Sequence, residues 1–473
     1  MNRCFVLLLT LLTTLYANAA TKIKKTGGQQ FMYRLTLADK SLSPYRLDHP
    51  TRWLSAKSIE RRRRQGLQLD STDLPVSPAY LKAIRSRRGV DIVGTSRWNN
   101  TVVVHTSDST CRVQLAALPF VSQVELVWLS PDSIDKHQPK WTYHHDYNTW
   151  DSIRGEYYGN GKEQIESLGG QRLHNVGMRG KGMTIAVFDG GFRNVNRLPA
   201  FSRTHIAGYR DLIWCHPKTA AKAAGDEHIY QEGDHGTRVL SAMAANVPEV
   251  LVGTAPEANY WLLRCEDQLS EQPVEEDYWA MAAELADSAG VDIINSSLGY
   301  NDYDAPHQSI RLSQLDGRST LISRTASLLA GKGIILVNSA GNTGMGPWKK
   351  ICVPADADDI LTVGAVTPQG INAPFSAVGP SQDGRTKPDV VAIGSPAALI
   401  SGRGTVVRDM GTSFSTPVVC GLVACLWQSM PGKSAFEMIN LIRSTADNCQ
   451  TPNNIYGYGM PNFWRAIMIR TLK

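Results

Sequence analysis

The 473-residue sequence predicts a doubly wound α/β domain, a mostly parallel sheet with helices on both faces, preceded by a small α+β domain. Three observations predict it. Apolar, β-rich runs recur after residue 156: "MTIAVFD" (183–189), "ANYWLLRC" (258–265), "VDIINSSL" (291–298), "GIILVNSA" (333–340) and "ILTVGAV" (360–366). Runs with no polar alternation belong to strands covered on both faces. Longer helical segments such as "VEEDYWAMAAELADSAG" stand between them, the alternation that builds parallel sheets. Residues 31–128 read differently, as strands "FMYRLTLAD", "VDIVGT", "NTVVVHT" and "VSQVELVW" around two Ser-capped helices, "SPAYLKAIRSR" and "STCRVQLAAL". That β-α-β-β-α-β order predicts a small antiparallel sheet with its helices on one face.

In chain order, residues 1–19 read as a secretory signal peptide, with a short basic start, an apolar stretch and an Ala-x-Ala exit. No other run of about 18 apolar residues occurs, so no transmembrane helix is expected. The mature chain is expected to be exported, periplasmic or secreted, without stable membrane insertion. Residues 20–128 form the α+β domain. The segment 20–150 carries 20 Lys/Arg against 11 Asp/Glu, whereas 151–473 carries 28 against 32. The chain-wide charge of +6 is therefore local and gives no case for nucleic acid. Its densest run, Arg61-Arg62-Arg63-Arg64 after "SAKSIE", is expected to be a solvated helix face.

Residues 129–155 are polar and aromatic without periodicity and read as a linker, with His144 and His145 as exposed histidines rather than metal ligands. The remainder, 156–473, is the α/β domain. Seven cysteines follow the leader, an odd number without zinc-finger spacing, and most are expected to be buried thiols. Cys420 and Cys425 share one helix too far apart to bridge.

In α/β sheets functional groups collect at the carboxyl ends of strands. Asp189 closes "MTIAVFD" before Gly190-Gly191, and His235 opens a helix in "GDHGTRVLSAMAANV". "NSSLGY" (295–300) and "NSAGNTG" (338–344) end their strands in Ser, Gly and Asn, suited to close backbone approach. In "GTSFSTPVVCG" (411–421) Ser413 stands either in an ordinary Ser/Thr-capped helix start, with the Pro tolerated in its first turn, or as a nucleophile in the positive end of a helix. Acid, base and nucleophile thus occur in the order Asp, His, Ser, with Asn342 to spare.

"VFDGG", "HGTRV", "SSLG", "SAGN", "KPDVVA" and "GTSFSTPVVCG" resemble, in order and spacing, the motifs of subtilisin-like serine peptidases, the subtilases. The resemblance covers about 156–470 and ends at "GYGMPNFWRA", similar to the family's last helix. It implies that Ser413 attacks the scissile carbonyl, His235 is general base and acid, and Asp189 orients the imidazole. It implies Asn342 as oxyanion donor beside the Ser413 N–H, and Ser297, Leu298 and Gly299 as the edge that pairs with an extended polypeptide substrate. The N-terminal domain is similar to subtilase propeptides, which implies a folding assistant and intramolecular inhibitor processed within 129–155. Two departures stand out. Gly190 replaces a frequent Ser or Thr, and the loop "TGMGPWKKICVPADA" places Trp348, Lys349 and Lys350 where the family builds its S1 pocket, so Lys349 or Lys350 is expected to bias P1 toward acidic or polar residues.

Other readings fail on spacing. G-x-S-x-G is broken by Ser415, "PGKS" (431–434) lacks the earlier glycine of a P-loop, and His228, Glu232 and His235 do not form H-E-x-x-H. A catalytically inactive fold acting as an exported peptide-binding module is the alternative. No cofactor is expected; calcium could be sought at "NDYD" (301–304) or "PADADD" (354–359), but neither has regular ligand spacing, so no essential metal is expected.

Overall fold

The computed structural model describes residues 28–130, 156–214 and 225–471. The leader, most of the linker with His144 and His145, and Cys215 lie outside the described residues.

The N-terminal domain runs β1 (Phe31–Leu37), α1 (Ala56–Arg64), α2 (Pro78–Arg85), β2 (Val90–Ser96), β3 (Thr101–Thr106), α3 (Cys111–Ala116) and β4 (Val121–Leu129). Its strands pair antiparallel in the order β2-β3-β1-β4. The expected order holds, with α1 added between β1 and α2. Side chains alternate along β1. Tyr33, Leu35 and Leu37 pack with Val102 and Val104 against Tyr80, Ile84 and Leu115 of the domain's own helices. Met32, Val103 and Val127 face the other way, into the core of the second domain. That explains the unbroken "TVVVHT": β3 is buried on both faces.

The second domain runs β5 (Thr184–Asp189), β6 (His205–Asp211), α4 (His235–Ala244), β7 (Asn259–Arg264), α5 (Val274–Ala289), β8 (Ile293–Ser296), α6 (Leu321–Leu328), β9 (Ile335–Ser339), β10 (Leu361–Val366), β11 (Val390–Ile393), α7 (Thr412–Ser429), α8 (Ala435–Thr445) and α9 (Phe463–Thr471). Seven strands form an all-parallel sheet in the order β11-β10-β9-β8-β5-β7-β6. The order reverses between β5 and β8, and the crevice beyond their carboxyl ends is where such sheets bind ligands. All five strands read from the sequence are present, each trimmed by one to four residues. β6 and β11 are additional. β6 is a half-exposed edge whose Gly208 abuts Trp261, a Cβ there lying 2.5 Å from the ring, so it lacks an apolar signature. α7 runs through the core, buried around most of its length, as a helix apolar on every side must be.

The basic run departs from expectation. Arg63 and Arg64 are exposed to solvent, but Arg61 and Arg62 are buried against α5. Arg61 pairs with Asp287 and donates to Val291 O at 2.6 Å and Lys332 O at 3.2 Å. Arg62 reaches Asp287 at 2.8 Å and Asp73 at 3.2 Å, and Arg97 reaches Asp287 at 2.6 Å. Burying such charges is costly unless each is paired, and here they are. At the other end of α5, Arg34 grips Asp277 at 2.6 Å, and Leu129 exchanges two hydrogen bonds with Gln272 at 2.7 and 3.1 Å. The N-terminal domain therefore straddles α5 from end to end, about 24 Å at 1.5 Å per residue. β4 ends on the side of the sheet's carboxyl edge.

Cys111, Cys265, Cys352, Cys420 and Cys425 are buried free thiols, and Cys449 is half-buried and free. Burial pushes the Cys352 thiol up to about 12, outside the reactive range.

Candidate active site

Asp189 ends β5 at the topological switch and is fully buried. His235 opens α4, and its Nδ1 donates to both Asp189 oxygens, at 3.0 and 2.9 Å. A carboxylate on Nδ1 fixes the proton there and leaves Nε2 as the basic nitrogen. The approach needs Gly236: a Cβ at that position would lie 2.4 Å from Gly191 O and 2.9 Å from Asp189 Cγ. Phe414 lies against the imidazole, ring centroids 5.6 Å apart.

Ser413 is the second residue of α7, 3% exposed. Of the two readings of this stretch, the Ser/Thr-capped start is not the one found: Gly411 precedes the helix with no side-chain cap. Pro417 is not in the first turn but at the sixth helical position. It has no N–H to give the carbonyl four residues back, and that carbonyl is Ser413's. Ser297 Oγ takes the place of the lost donor, bonding Ser413 O at 2.9 Å, while Ser413 Oγ donates to Ser297 O at 3.2 Å. The proline thus ties Ser297, just past β8, to the helix-start serine of α7.

Asn342 follows β9 and is exposed. Its Oδ1 accepts from Thr412 N at 2.9 Å and Thr412 Oγ1 at 3.0 Å. The amide is oriented by its oxygen, which leaves Nδ2 beside Gly411, 3.6 Å from where a Cβ on that glycine would stand. The Ser413 N–H lies in the first turn, where no intrahelical acceptor exists. Of the three residues expected to pair with substrate, Ser297 is bound to Ser413, and Leu298 O accepts from Asn338 Nδ2 and Ser339 Oγ, each at 3.3 Å. Only Gly299 of the three is exposed. In the next loop Lys350 Nζ donates to Gly379 O at 2.6 Å, while Lys349 is exposed. The expected P1 bias is left to Lys349.

Sequence reasoning missed the outer support of this site. Arg264 and Gln268 both donate to Gly190 O, at 3.0 and 3.3 Å. Only strand register, with Arg264 beside Asp189, reveals Arg264; Gln268 lies in the loop that follows. His228 and Glu232 lie 3.0 Å apart in the same network, not in a metal set with His235.

Burial disfavours a charged His235, but Asp189, by charge and hydrogen bond, with Glu266 and Asp409 beyond it, holds its pKa above the usual 6.5. A histidine base works only when neutral. The acid limb of kcat/KM against pH is therefore expected above 6.5, and Asp189→Asn should move it to lower pH. A limb at or below 6.5 in the wild type would contradict this electrostatic reading.

The parallel α/β sheet thus carries a buried Asp–His pair, a helix-start serine and a loop asparagine beyond the carboxyl ends of its strands. The subtilase family model matches residues 180–459, more than half of the chain. The chain belongs to the subtilase family, which places it among the serine proteases. Residues 32–142 match the peptidase S8 propeptide domain of Bacteroidota, so the small domain is a propeptide domain by family. Among curated relatives, a thermostable alkaline protease of Halalkalibacterium halodurans is 28% identical over 64% of this chain and 72% of its own length. Subtilisin Savinase of Lederbergia lenta is 28% identical over 61% of this chain and 92% of its own. Subtilisin NAT of Bacillus subtilis subsp. natto is 27% identical over 66% and 72%.

Proposed function

We propose that this protein is an exported serine endopeptidase that cleaves polypeptides through an acyl-enzyme. The observation that carries the proposal is the fully buried Asp189 carboxylate holding His235 by Nδ1. Ser413 Oγ leaves Ser297 O, gives its proton to His235 Nε2 and attacks the scissile carbonyl. His235 then passes that proton to the leaving amine, and water repeats the sequence on the acyl-enzyme. Asp189 stabilises the transient imidazolium. Asn342 Nδ2 and the Ser413 N–H receive the oxyanion. Gly299 offers backbone to the substrate, which favours extended chains over particular side chains. Among the described residues no helix is long and apolar enough to cross a membrane, and the leader is the basis for export. A fluorophosphonate probe and unfolded casein test the proposal: labelling and cleavage are expected. Protein that does neither, with its N-terminal domain demonstrably removed, is a peptide-binding module instead.

Asn342→Ala is expected to lower kcat by about 10²–10³-fold with little change in KM, because the oxyanion exists only in the transition state. A comparable rise in KM would remove Asn342 from that role. The N-terminal domain serves as intramolecular inhibitor, since β4 directs the chain toward the carboxyl edge of the sheet.

No essential metal is proposed. Three carboxylates of the two candidate loops already serve protein donors: Asp304 accepts from Glu271 N at 2.8 Å, Asp356 from Gly317 N at 2.7 Å, and Asp358 pairs with Arg385 at 3.0 Å. EDTA should leave Tm unchanged; a fall of more than about 5 °C reversed by calcium, over 1 kcal/mol for a domain of this size, would overturn this.

A further inference from the structure

We infer that Arg264, assisted by Gln268, is a positioning residue that fixes the Asp189-Gly190-Gly191 turn and, through it, the carboxylate that orients His235. The inference rests on the triad reading above. Among the described residues, the buried Asp189 carboxylate has two donors, His235 Nδ1 and the Gly190 N–H at 2.8 Å. A carboxylate has room for about four, so the aim of that single main-chain N–H decides how the oxygens face the imidazole. Gly190 has no side chain to help. A Cβ there would lie 3.0 Å from Gln268 Nε2 and 3.3 Å from its Cγ, so Gln268 occupies the space beside it.

The turn is held instead by its carbonyls. Cys265 N donates to Asp189 O at 3.1 Å, and Arg264 Nε and Gln268 Nε2 both donate to Gly190 O. Arg264 is suited to the task by register, standing beside Asp189 on β5 and Asp211 on β6. It is 4% exposed, and its Nη1 donates to both Asp211 oxygens, at 3.0 and 2.9 Å. His228 joins Asp211 at 3.2 Å and Glu232 at 3.0 Å, and Glu232 returns to Arg264 at 3.9 Å. This closed ring leaves the guanidinium one orientation, with Nε aimed at the turn. A charged donor on a buried carbonyl is stronger than a neutral one.

The test compares wild type, Gln268→Met and the double variant Arg264→Lys/Gln268→Met, each normalised to sites titrated by a fluorophosphonate. Lysine keeps a cation for Asp211 but has no donor at the Nε position, and Glu266 and Asp409, the other charges facing His235, are untouched. The double variant is expected to lose about 10-fold or more in kcat per titrated site, a modest share of the loss that a misplaced catalytic group can cause. KM should stay within about twofold, because the turn binds no substrate. The acid limb should move down by about 0.5 pH, since a looser Asp189 supports the imidazolium less. Gln268→Met, which removes one neutral, half-exposed donor, should show the same pattern at about 3-fold and serves where the double variant does not fold. Wild-type kcat and acid limb per titrated site, or a loss confined to KM or to the titratable fraction, overturns the inference. Wild type that does not titrate sinks the triad reading and this inference together; wild type that titrates beside unchanged variants sinks this inference alone.

Discussion

Ser413→Ala is expected to lower turnover by about 10⁶-fold and to abolish fluorophosphonate labelling, because the residues of a triad act as one unit. The fold should survive. Among the described residues Ser413 Oγ makes one hydrogen bond, to Ser297 O at 3.2 Å, worth about 1 kcal/mol. The contact that anchors the helix start, Ser297 Oγ on the carbonyl freed by Pro417, uses Ser413's backbone and is unaffected. Activity should therefore collapse with Tm nearly unchanged. The same variant tests maturation. Wild type is expected to shed roughly the first 130–155 residues, since the segment read from sequence as a linker is where a nick is easiest, while Ser413→Ala keeps everything after the leader. Intact mass spectrometry decides. If both keep the N-terminal domain and wild type is active, that domain is permanent and the inhibitor reading fails.

The central strands and the motif residues were legible because local chemistry announces them. A strand buried on both faces reads as an apolar run, and Asp189, His235 and Asn342 sit at the ends of such runs or at the start of a helix. The outer strands were not. β6 is a half-exposed edge with Gly208 against Trp261, and β11 is only four residues long, so neither carries a periodic signal. The cap and the place of Pro417 at the Ser413 helix start were not legible for a different reason. "GTSFSTP" offers several Ser/Thr caps to a local reading, but Gly411 is the residue that precedes the helix, and Pro417 can sit deep in α7 because Ser297, over a hundred residues away, supplies the missing donor. Arg61 and Arg62 mislead in the same way. Four successive arginines read as solvated unless one knows that Asp287 lies beneath them. Long-range compensation of a locally unfavourable choice is invisible to a window of sequence.

That compensation sets the remaining large expectation. Asp287→Ala should weaken the hold of the N-terminal domain on the mature enzyme by about 10²–10⁴-fold, the equivalent of the 3–5 kcal/mol lost when one member of a buried ion pair is removed. Arg61, Arg62 and Arg97 converge on this one carboxylate, and Arg61 is fully buried. Without it, three guanidinium groups must share Asp73, Glu284 and backbone carbonyls. Burial pushes the Asp287 carboxyl up, yet the three cations overcome this and hold it at about 2. A carboxyl lowered on association strengthens the complex above its ordinary pKa near 3.8, and the benefit is lost only as pH falls through about 2. Mild acid is therefore not expected to release the domain through this pair. The mature enzyme should be indifferent to the change. Once the domain has gone, Asp287 is a solvated acid in the last turn of α5, where the helix dipole disfavours it, and it stands at the opposite end of that helix from the active site. The measurement is the inhibition constant of the processed N-terminal domain against mature wild type and Asp287→Ala, with kcat and Tm of each. An unchanged inhibition constant would mean that Arg34–Asp277 and the apolar face of Met32, Val103 and Val127 carry the interface, and that the buried arginines serve only to seat α1.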